Sequence, residues 1–336
     1  MSDHPVPGSE EWLRSVHEDV LDPGQRIIDP HHHLWPVGGA LPYGLDELHA
    51  DAVGGGHAVE RTVFVECRSA YRTDGPEHLR PVGETEFVAG EALRDPRRLI
   101  GGIVAHTDLR DHDHLDEVLD AHESAGRGLF RGIRHAGSHA IDPAPLRIPG
   151  RAPAGLYLDT AFQRGVAHLG ERGLTYDTWH YHYQNGEFLE LVRAAPGTTI
   201  VLDHFGTPLG VGAYAGRREE IFEQWKSDIA DIARCPNVVA KLGGLAMPDN
   251  GFGWDSAGRP PTSDEFVAAQ QRYYLHAIDC FGPERCMFES NFPVDRWSLS
   301  YSVLWNGLKK IAAPFTAAER DAMFFGTAAR VYRLPS

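Results

Sequence analysis

Cysteine is scarce and scattered. Cys67, Cys235, Cys280 and Cys286 are the only four in 336 residues. No two stand in a Cys-x-x-Cys pair, which excludes a disulfide framework and a thiolate metal site. Long apolar runs are lacking as well, since no window approaches the roughly 20 residues that a membrane helix requires. Basic residues are outnumbered, 32 Lys and Arg against 47 Asp and Glu, for a net charge of −15. Nucleic acid and anionic membrane surfaces are therefore poor partners. The opening MSDHPVPGSEEWLRSVHEDV lacks the basic-then-apolar layout of a secretory leader. There is no Gly-x-Ser-x-Gly elbow and no Walker A loop, and the glycines of Gly210–Gly216 miss the dinucleotide spacing. These gaps leave a soluble, reduced, cytoplasmic protein that acts on a small molecule.

What is present is globular in bulk. The 42% hydrophobic and 24% charged contents exclude a disordered or collagenous chain. Length admits two domains or one α/β barrel of about 250 residues with insertions. Short apolar runs decide between them. Strands are expected at Arg26–Asp29, Arg61–Glu66, Leu99–His106, Leu129–Arg134, Leu174–Thr178, Thr199–Asp203, Val238–Lys241 and Cys286–Glu289. Most are continuous in Val, Ile, Leu or Phe, as strands buried on both faces should be. Helical patterns lie between them at Glu84–Arg94, Leu115–Ala125, Phe188–Ala194, Glu219–Arg234 and Thr262–Phe281, with Leu299–Ala312 and Thr316–Tyr332 at the end. Eight alternations favour a closed (β/α)8 TIM barrel over an open sheet. It is expected as a single domain over residues 1–336, with 1–24 as an N-terminal extension. Four long Gly/Pro-rich βα-loop insertions, Trp35–Val59, Gly137–Arg164, Phe205–Arg218 and Met247–Pro261, should form a lid over the C-terminal mouth.

Nineteen histidines are the compositional anomaly, and their placement carries the chemistry. In Asp29-Pro30-His31-His32-His33-Leu34-Trp35, side chains two apart on an extended chain share a face. His31 and His33 can then reach one divalent ion, and imidazole suits zinc. His204 follows Val201-Leu202-Asp203, His180 and His182 follow Leu174–Trp179, and His135 follows Arg134; all are strand-to-loop junctions. A hydrogen-bonded rim histidine is the plainer account of any one alone, but a barrel gathers all of them at one mouth. Arg134 and Arg68, at the ends of the fourth and second strands, offer forks for a substrate carboxylate. Arg131 has the opposite parity to Arg134, so only one of that pair faces the mouth. Lys241 is read as neutralising buried acids. Trp35, Tyr43, Trp179, Tyr181, Tyr183, Phe205, Phe252 and Trp254 cluster in rim segments, favouring an aromatic or multi-ring substrate.

Taken with Leu202-Asp203-His204-Phe205-Gly206-Thr207-Pro208, Lys241-Leu242-Gly243-Gly244-Leu245 and Glu289-Ser290-Asn291-Phe292-Pro293, the His-x-His run resembles the amidohydrolase-2 branch of the amidohydrolase superfamily. The likeness is closest to its TIM-barrel lactonases and extends from about Arg26 to Leu334. It implies hydrolysis of a lactone or related carbonyl compound by His31, His33, His204 and the polar residue of the last strand, with a zinc or manganese ion in some members and none in others. It also implies an Asp where Asn291 stands. A carboxamide orients water but takes no proton, so the base falls to Glu289, Asp295, His182 or His204. Loss of the acid also removes an anionic metal ligand, so a zinc enzyme and a metal-free one both stay open. Arg134, Arg68, Trp35 and His180 are expected to bind substrate. A metal-assisted decarboxylase or lyase and a non-catalytic binding relative are the alternatives. The resemblance and the apolar barrel exterior favour a homodimer.

Overall fold

The structure, a computed structural model, describes residues 5–335. Its strands are β1 (Arg26–His32), β2 (Ala58–Val65), β3 (Ile100–Ala105), β4 (Phe130–Arg134), β5 (Thr175–Thr178), β6 (Ile200–Leu202), β7 (Val238–Leu242) and β8 (Cys286–Phe288). They stand in chain order in one sheet with every pairing parallel. The residues after β8 close the ring: Asn291 N donates to His31 O at 3.0 Å, and His33 N to Phe292 O at 2.9 Å. This is the (β/α)8 barrel that the strand–helix alternation predicts.

The outer helices are α1 (Glu10–Leu13), α2 (Leu45–Ala52), α3 (Val82–Arg94), α4 (Leu115–Gly126), α5 (Thr160–Glu171), α6 (Asn185–Ala194), α7 (Arg218–Ala233), α8 (Ser263–Phe281), α9 (Tyr301–Ala312), α10 (Ala317–Asp321) and α11 (Thr327–Val331). Helix α8 opens with a reciprocal cap: Glu265 N donates to Thr262 Oγ1 at 3.2 Å, and Thr262 N to Glu265 Oε2 at 2.8 Å. Two segments expected to be irregular contain helix. The second half of the first rim insertion folds as α2, and α5 begins inside the second because the Asp159 side chain caps Ala161 N at 2.7 Å. The long final helix is interrupted by a π-helical turn over Ala322–Gly326. The wider turn sends Phe324 to the outer core and its neighbour Phe325 to the barrel interior.

The interior is layered, as strand alternation dictates. Ile28, Val63, Val65, Val104, Val201, Val239 and Met287 point inward, and Phe325, Val331, Tyr332 and Leu334 plug the bottom. Two residues further along β5, β6, β7 and β8, the same face carries Asp177, Asp203, Lys241 and Glu289. An apolar floor therefore supports a charged layer that opens toward the C-terminal mouth.

Glycines report how tightly the outer helices sit on this barrel. A Cβ on Gly165 of α5 would lie 2.0 Å from the Leu109 carbonyl oxygen, whereas one on Gly90 of α3 meets nothing within 4 Å. Gly165→Ala is expected to destabilise by about 1–3 kcal/mol through overpacking. Gly90→Ala should stabilise by about 0.5–1 kcal/mol, the ordinary helix preference. Denaturant unfolding of the two variants checks the opposite signs.

Candidate active site

The charged layer is built around two cations. Lys241 Nζ lies 2.8 Å from Asp177 Oδ2 and 3.2 Å from Asp203 Oδ1, all three side chains fully buried. Burial works against the ammonium charge, yet Asp177 and Asp203 outweigh it and push the Lys241 pKa up. Tyr332 Oη donates to Asp177 Oδ2 at 2.5 Å from below. On the other side Arg134 Nε donates to Glu66 Oε1 at 3.0 Å and Nη2 to the Glu66 carbonyl, while Nη1 stands 3.7 Å from Asp203 Oδ2.

The imidazoles enter from β1 and β6 through two breaks in strand regularity. Pro30 cannot donate to the ladder, and the β1–β2 register slips between Asp29 and His32. Asp29 consequently faces outward, accepting from Ser290 N at 2.9 Å and Tyr301 Oη at 3.0 Å, while His31 turns into the hole. On β6, His204 and Phe205 take left-handed backbone conformations with φ of 53° and 59°. Asp203 and His204 can then face the interior together, which plain alternation forbids. Glu289 ties the imidazoles to each other: Oε1 is 2.7 Å from His204 Nδ1 and Oε2 is 2.9 Å from His31 Nδ1. The Gly243-Gly244 pair makes room for this arrangement. A Cβ on Gly243 would stand 2.4 Å from Glu289 Cγ, and one on Gly244 2.3 Å from His204 Nδ1.

Burial sets the protonation states. It lowers His204 to about 3 and holds His31 and His33 well below the usual histidine value, so all three are neutral. Burial lifts Glu289 to about 8 against the pull of Lys241, and it raises Asp203. His33 donates Nδ1–H to Val65 O at 2.7 Å, since a carbonyl only accepts, and this leaves its Nε2 lone pair free.

A cavity of about 650 Å³ opens above this layer. His33, His204, Asn291, Trp35, Arg68 and Arg134 all line it, whereas other residues predicted for the site lie elsewhere. His180 turns outward, with Nε2 3.0 Å from Asn185 Oδ1 and its ring on Phe188. His182 sits in a 3₁₀ turn, where Nδ1 accepts Leu209 N at 3.3 Å beside Tyr214. Strand parity puts residue 179 inward and 180 outward, and the turn ends that parity before residue 182. Glu289 is fully buried behind the two imidazoles. Asp295 accepts Asn291 Nδ2 at 2.9 Å, and burial pushes its pKa well above the usual carboxylate value. Of the rim aromatics Trp35 and Trp179 reach the cavity, joined by Trp297, while the Phe205–Arg218 segment contributes nothing to its wall.

Asp203, Glu66 and Asp177 were not foreseen as site residues. Inward parity with Val201 and Thr175 was the available signal for Asp203 and Asp177. Glu66 carried no such mark. It lines the cavity, and its Oε2 is buried without a hydrogen-bond partner. Beneath it, Glu84 of α3 accepts Cys67 N at 3.1 Å and Ser69 N at 2.7 Å, clamping the turn in which Arg68 has φ 61°.

This donor set fits a divalent cation. His31, Asp203 and His204 each present a ligand atom within 4.8 Å of the others. His33 lies outside that group, its ring 5.0 Å from that of His31. Asp203 and Glu289 Oε2 are buried and met only by ionic contacts, Lys241 Nζ at 3.2 Å from Asp203 Oδ1 and His31 Nδ1 at 2.9 Å from Glu289 Oε2. Four carboxylates (Glu66, Asp177, Asp203, Glu289) face only two cations, Lys241 and Arg134. Neutral imidazole with carboxylate is a usual ligand pairing for zinc and its neighbours.

A layered (β/α)8 barrel with imidazoles and carboxylates gathered at its C-terminal mouth defines a barrel enzyme. The chain belongs to the amidohydrolase family (Amidohydro_2), whose model matches residues 28–334. It is 33% identical over 324 residues to the uncharacterized protein y4mH of Sinorhizobium fredii, covering 92% of this chain and 98% of that one. It is 30% identical over 332 residues to the L-fucono-1,5-lactonase of Burkholderia multivorans, covering 93% and 97%. A crystal structure of an amidohydrolase from Burkholderia multivorans with bound zinc matches at a TM-score of 0.70 and 27% identity, covering 92% of this chain and 100% of that one. No helix among the described residues is long and apolar enough to cross a membrane.

Two predictions follow from the packing beneath the site. Gly244→Ala is expected to cost about 1–3 kcal/mol, because a Cβ displaces His204 and the backbone is left-handed; chemical denaturation measures it. Burial and the nearby Glu66 raise the Glu84 pKa, so the folded state holds a proton that the unfolded chain releases above about pH 4.3. Stability should therefore fall as pH rises through neutrality, and Glu84→Gln should flatten part of that slope in melting curves.

Proposed function

We propose that this protein hydrolyses a lactone at the mouth of the barrel, with His31, Asp203 and His204 holding a divalent metal ion, zinc by preference. The observation that carries this reading is the buried donor set of His31, Asp203 and His204, with His204 reaching the wall of an open cavity. The lactone is supported by the L-fucono-1,5-lactonase relative, and zinc by the zinc-bound crystal structure. When bound, the ion supplies Lewis-acid polarisation of the carbonyl and lowers the pKa of water.

The protein's own groups do the remainder. Glu289 accepts from His204 Nδ1 and sets Oε2 2.9 Å from His31 Nδ1, fixing the orientation of both rings, as carboxylates commonly do behind metal-binding histidines. Asn291, its amide nitrogen tied to Asp295, offers Oδ1 to a water proton. Glu66 is the acid on the cavity wall, its Oε1 held by Arg134 Nε. Its free Oε2 takes the water proton as oxygen bonds to the carbonyl carbon. It returns that proton to the ring oxygen as the ring C–O bond breaks, leaving a hydroxy acid. Asn291 is sufficient in place of an acid because the base stands on β2's end instead.

The test is lactone hydrolysis by purified protein, followed as carboxylate release, with metal content from elemental analysis. About one equivalent of zinc is expected, and a chelator should abolish turnover. Asp203→Asn and His204→Ala should each lower kcat/KM by about 100-fold or more, and Glu66→Gln by about 100-fold. Unchanged turnover in Asp203→Asn and His204→Ala would overturn the site. Carbon dioxide release from a cyclic acid without lactone opening would assign a decarboxylase.

A further inference from the structure

The chain is acidic, but the wall of its cavity is not. Arg68, Arg110, Arg134, Arg147 and Arg151 line it, against the single acid Glu66. Two of these guanidiniums are already engaged, Arg134 by Glu66 and Arg110 by Asp108 at 2.8 Å. Arg68, Arg147 and Arg151 form no ion pair among the described residues, although 47 acids are available to a chain of net charge −15. Arginines that evade salt bridges on so acidic a surface leave their forks for something brought from outside.

Each of the three is carried by pinned backbone. Arg68 occupies the left-handed turn whose flanking amides are held by buried Glu84. A non-glycine residue in that region costs energy and persists where surrounding structure enforces it. Arg147 stands where Asp249 accepts the Arg147 and Ile148 amides at 2.6 and 3.1 Å, and its guanidinium lies over Trp297 at 4.3 Å from the ring centre. Arg151 pairs in an antiparallel bridge with His139, flanked by Ala152 N donating to Ser138 O at 3.0 Å. Tyr181 Oη accepts Gly150 N at 2.8 Å on the same flap. The three residues thus come from two different loops and line the same cavity as His33 and His204.

We propose that the substrate is an anion: a lactone bearing at least one carboxylate outside the reacting ring ester, gripped by Arg68, Arg147 and Arg151. This rests on the lactone reading above and narrows it. It also moves the carboxylate clamp away from Arg134, which Glu66 occupies. A planar fork matches a carboxylate bidentately, and such charge-assisted bonds carry most of the discrimination against a neutral analogue.

Two measurements test it on the full chain. In the first, carboxylated and neutral lactones of equal ring size are compared. The carboxylated series should be favoured by about tenfold or more in kcat/KM. Arg147→Gln and Arg151→Gln should each erode that ratio mainly through KM, and Arg147→Lys should restore part of it. In the second, calorimetry follows glutarate binding, which needs no turnover. Binding should weaken about tenfold in Arg147→Gln and fall with added salt. Glutarate binding with these dependences, but no lactone opened, would retain the anion site and remove the lactonase reading. Neutral lactones opened as well as carboxylated ones, with a ratio unmoved by the arginine variants, would overturn the proposal. So would glutarate binding indifferent to those variants.

Discussion

Lys241 between Asp177 and Asp203 is the interaction on which the rest of this molecule depends. An ammonium group with no solvent access is tolerated only when its partners are close and themselves held. The barrel supplies that support: Tyr332 holds Asp177 from below, and Asp203 leads directly into the turn that carries His204. Removing either acid would leave the buried ammonium with one partner in place of two, and removing the lysine would leave two buried carboxylates without their shared cation. The charged layer is therefore a single unit, and the imidazoles are set by it.

The layer also explains why the active-site end is rich in backbone exceptions. Regular strands alternate, so a closed ring presents one side chain in two to its interior. Gathering Asp203 with His204, or His31 after an outward Asp29, requires a departure from alternation. The slip at Pro30 and the left-handed residues at His204 and Asn291 are those departures. Gly243 and Gly244 are their complement on the neighbouring strand, giving up side chains where the redirected groups need space.

Much of this is legible in the sequence. Continuous Val/Ile/Leu runs separated by amphipathic stretches mark most of the eight strands, as burial on both faces requires. His31 and His204 were visible from their strand-end positions. Asp203 is masked by its neighbour: alternation implies that adjacent residues cannot share a face, and the left-handed turn that breaks the rule leaves no mark in composition. His180 and His182 were misplaced for the converse reason, since a strand-end histidine looks alike whether it faces in or out. Glu66 and its support from Glu84 were hidden, as nothing local ties a residue after β2 to one on α3. The conformation of the flap after β4 depends on Asp249 and Tyr181, distant in sequence.

That flap separates two kinds of work. Groups that would make and break bonds sit on strand ends, fixed by the barrel's own closure, whereas Arg147 and Arg151 ride on an excursion held by a short bridge and a few amides. Descent with modification can rewrite such an excursion, in length or in charge, without disturbing the ring beneath. A lineage built on this plan would diversify its diet by editing one surface arc while its reaction chemistry stayed constant.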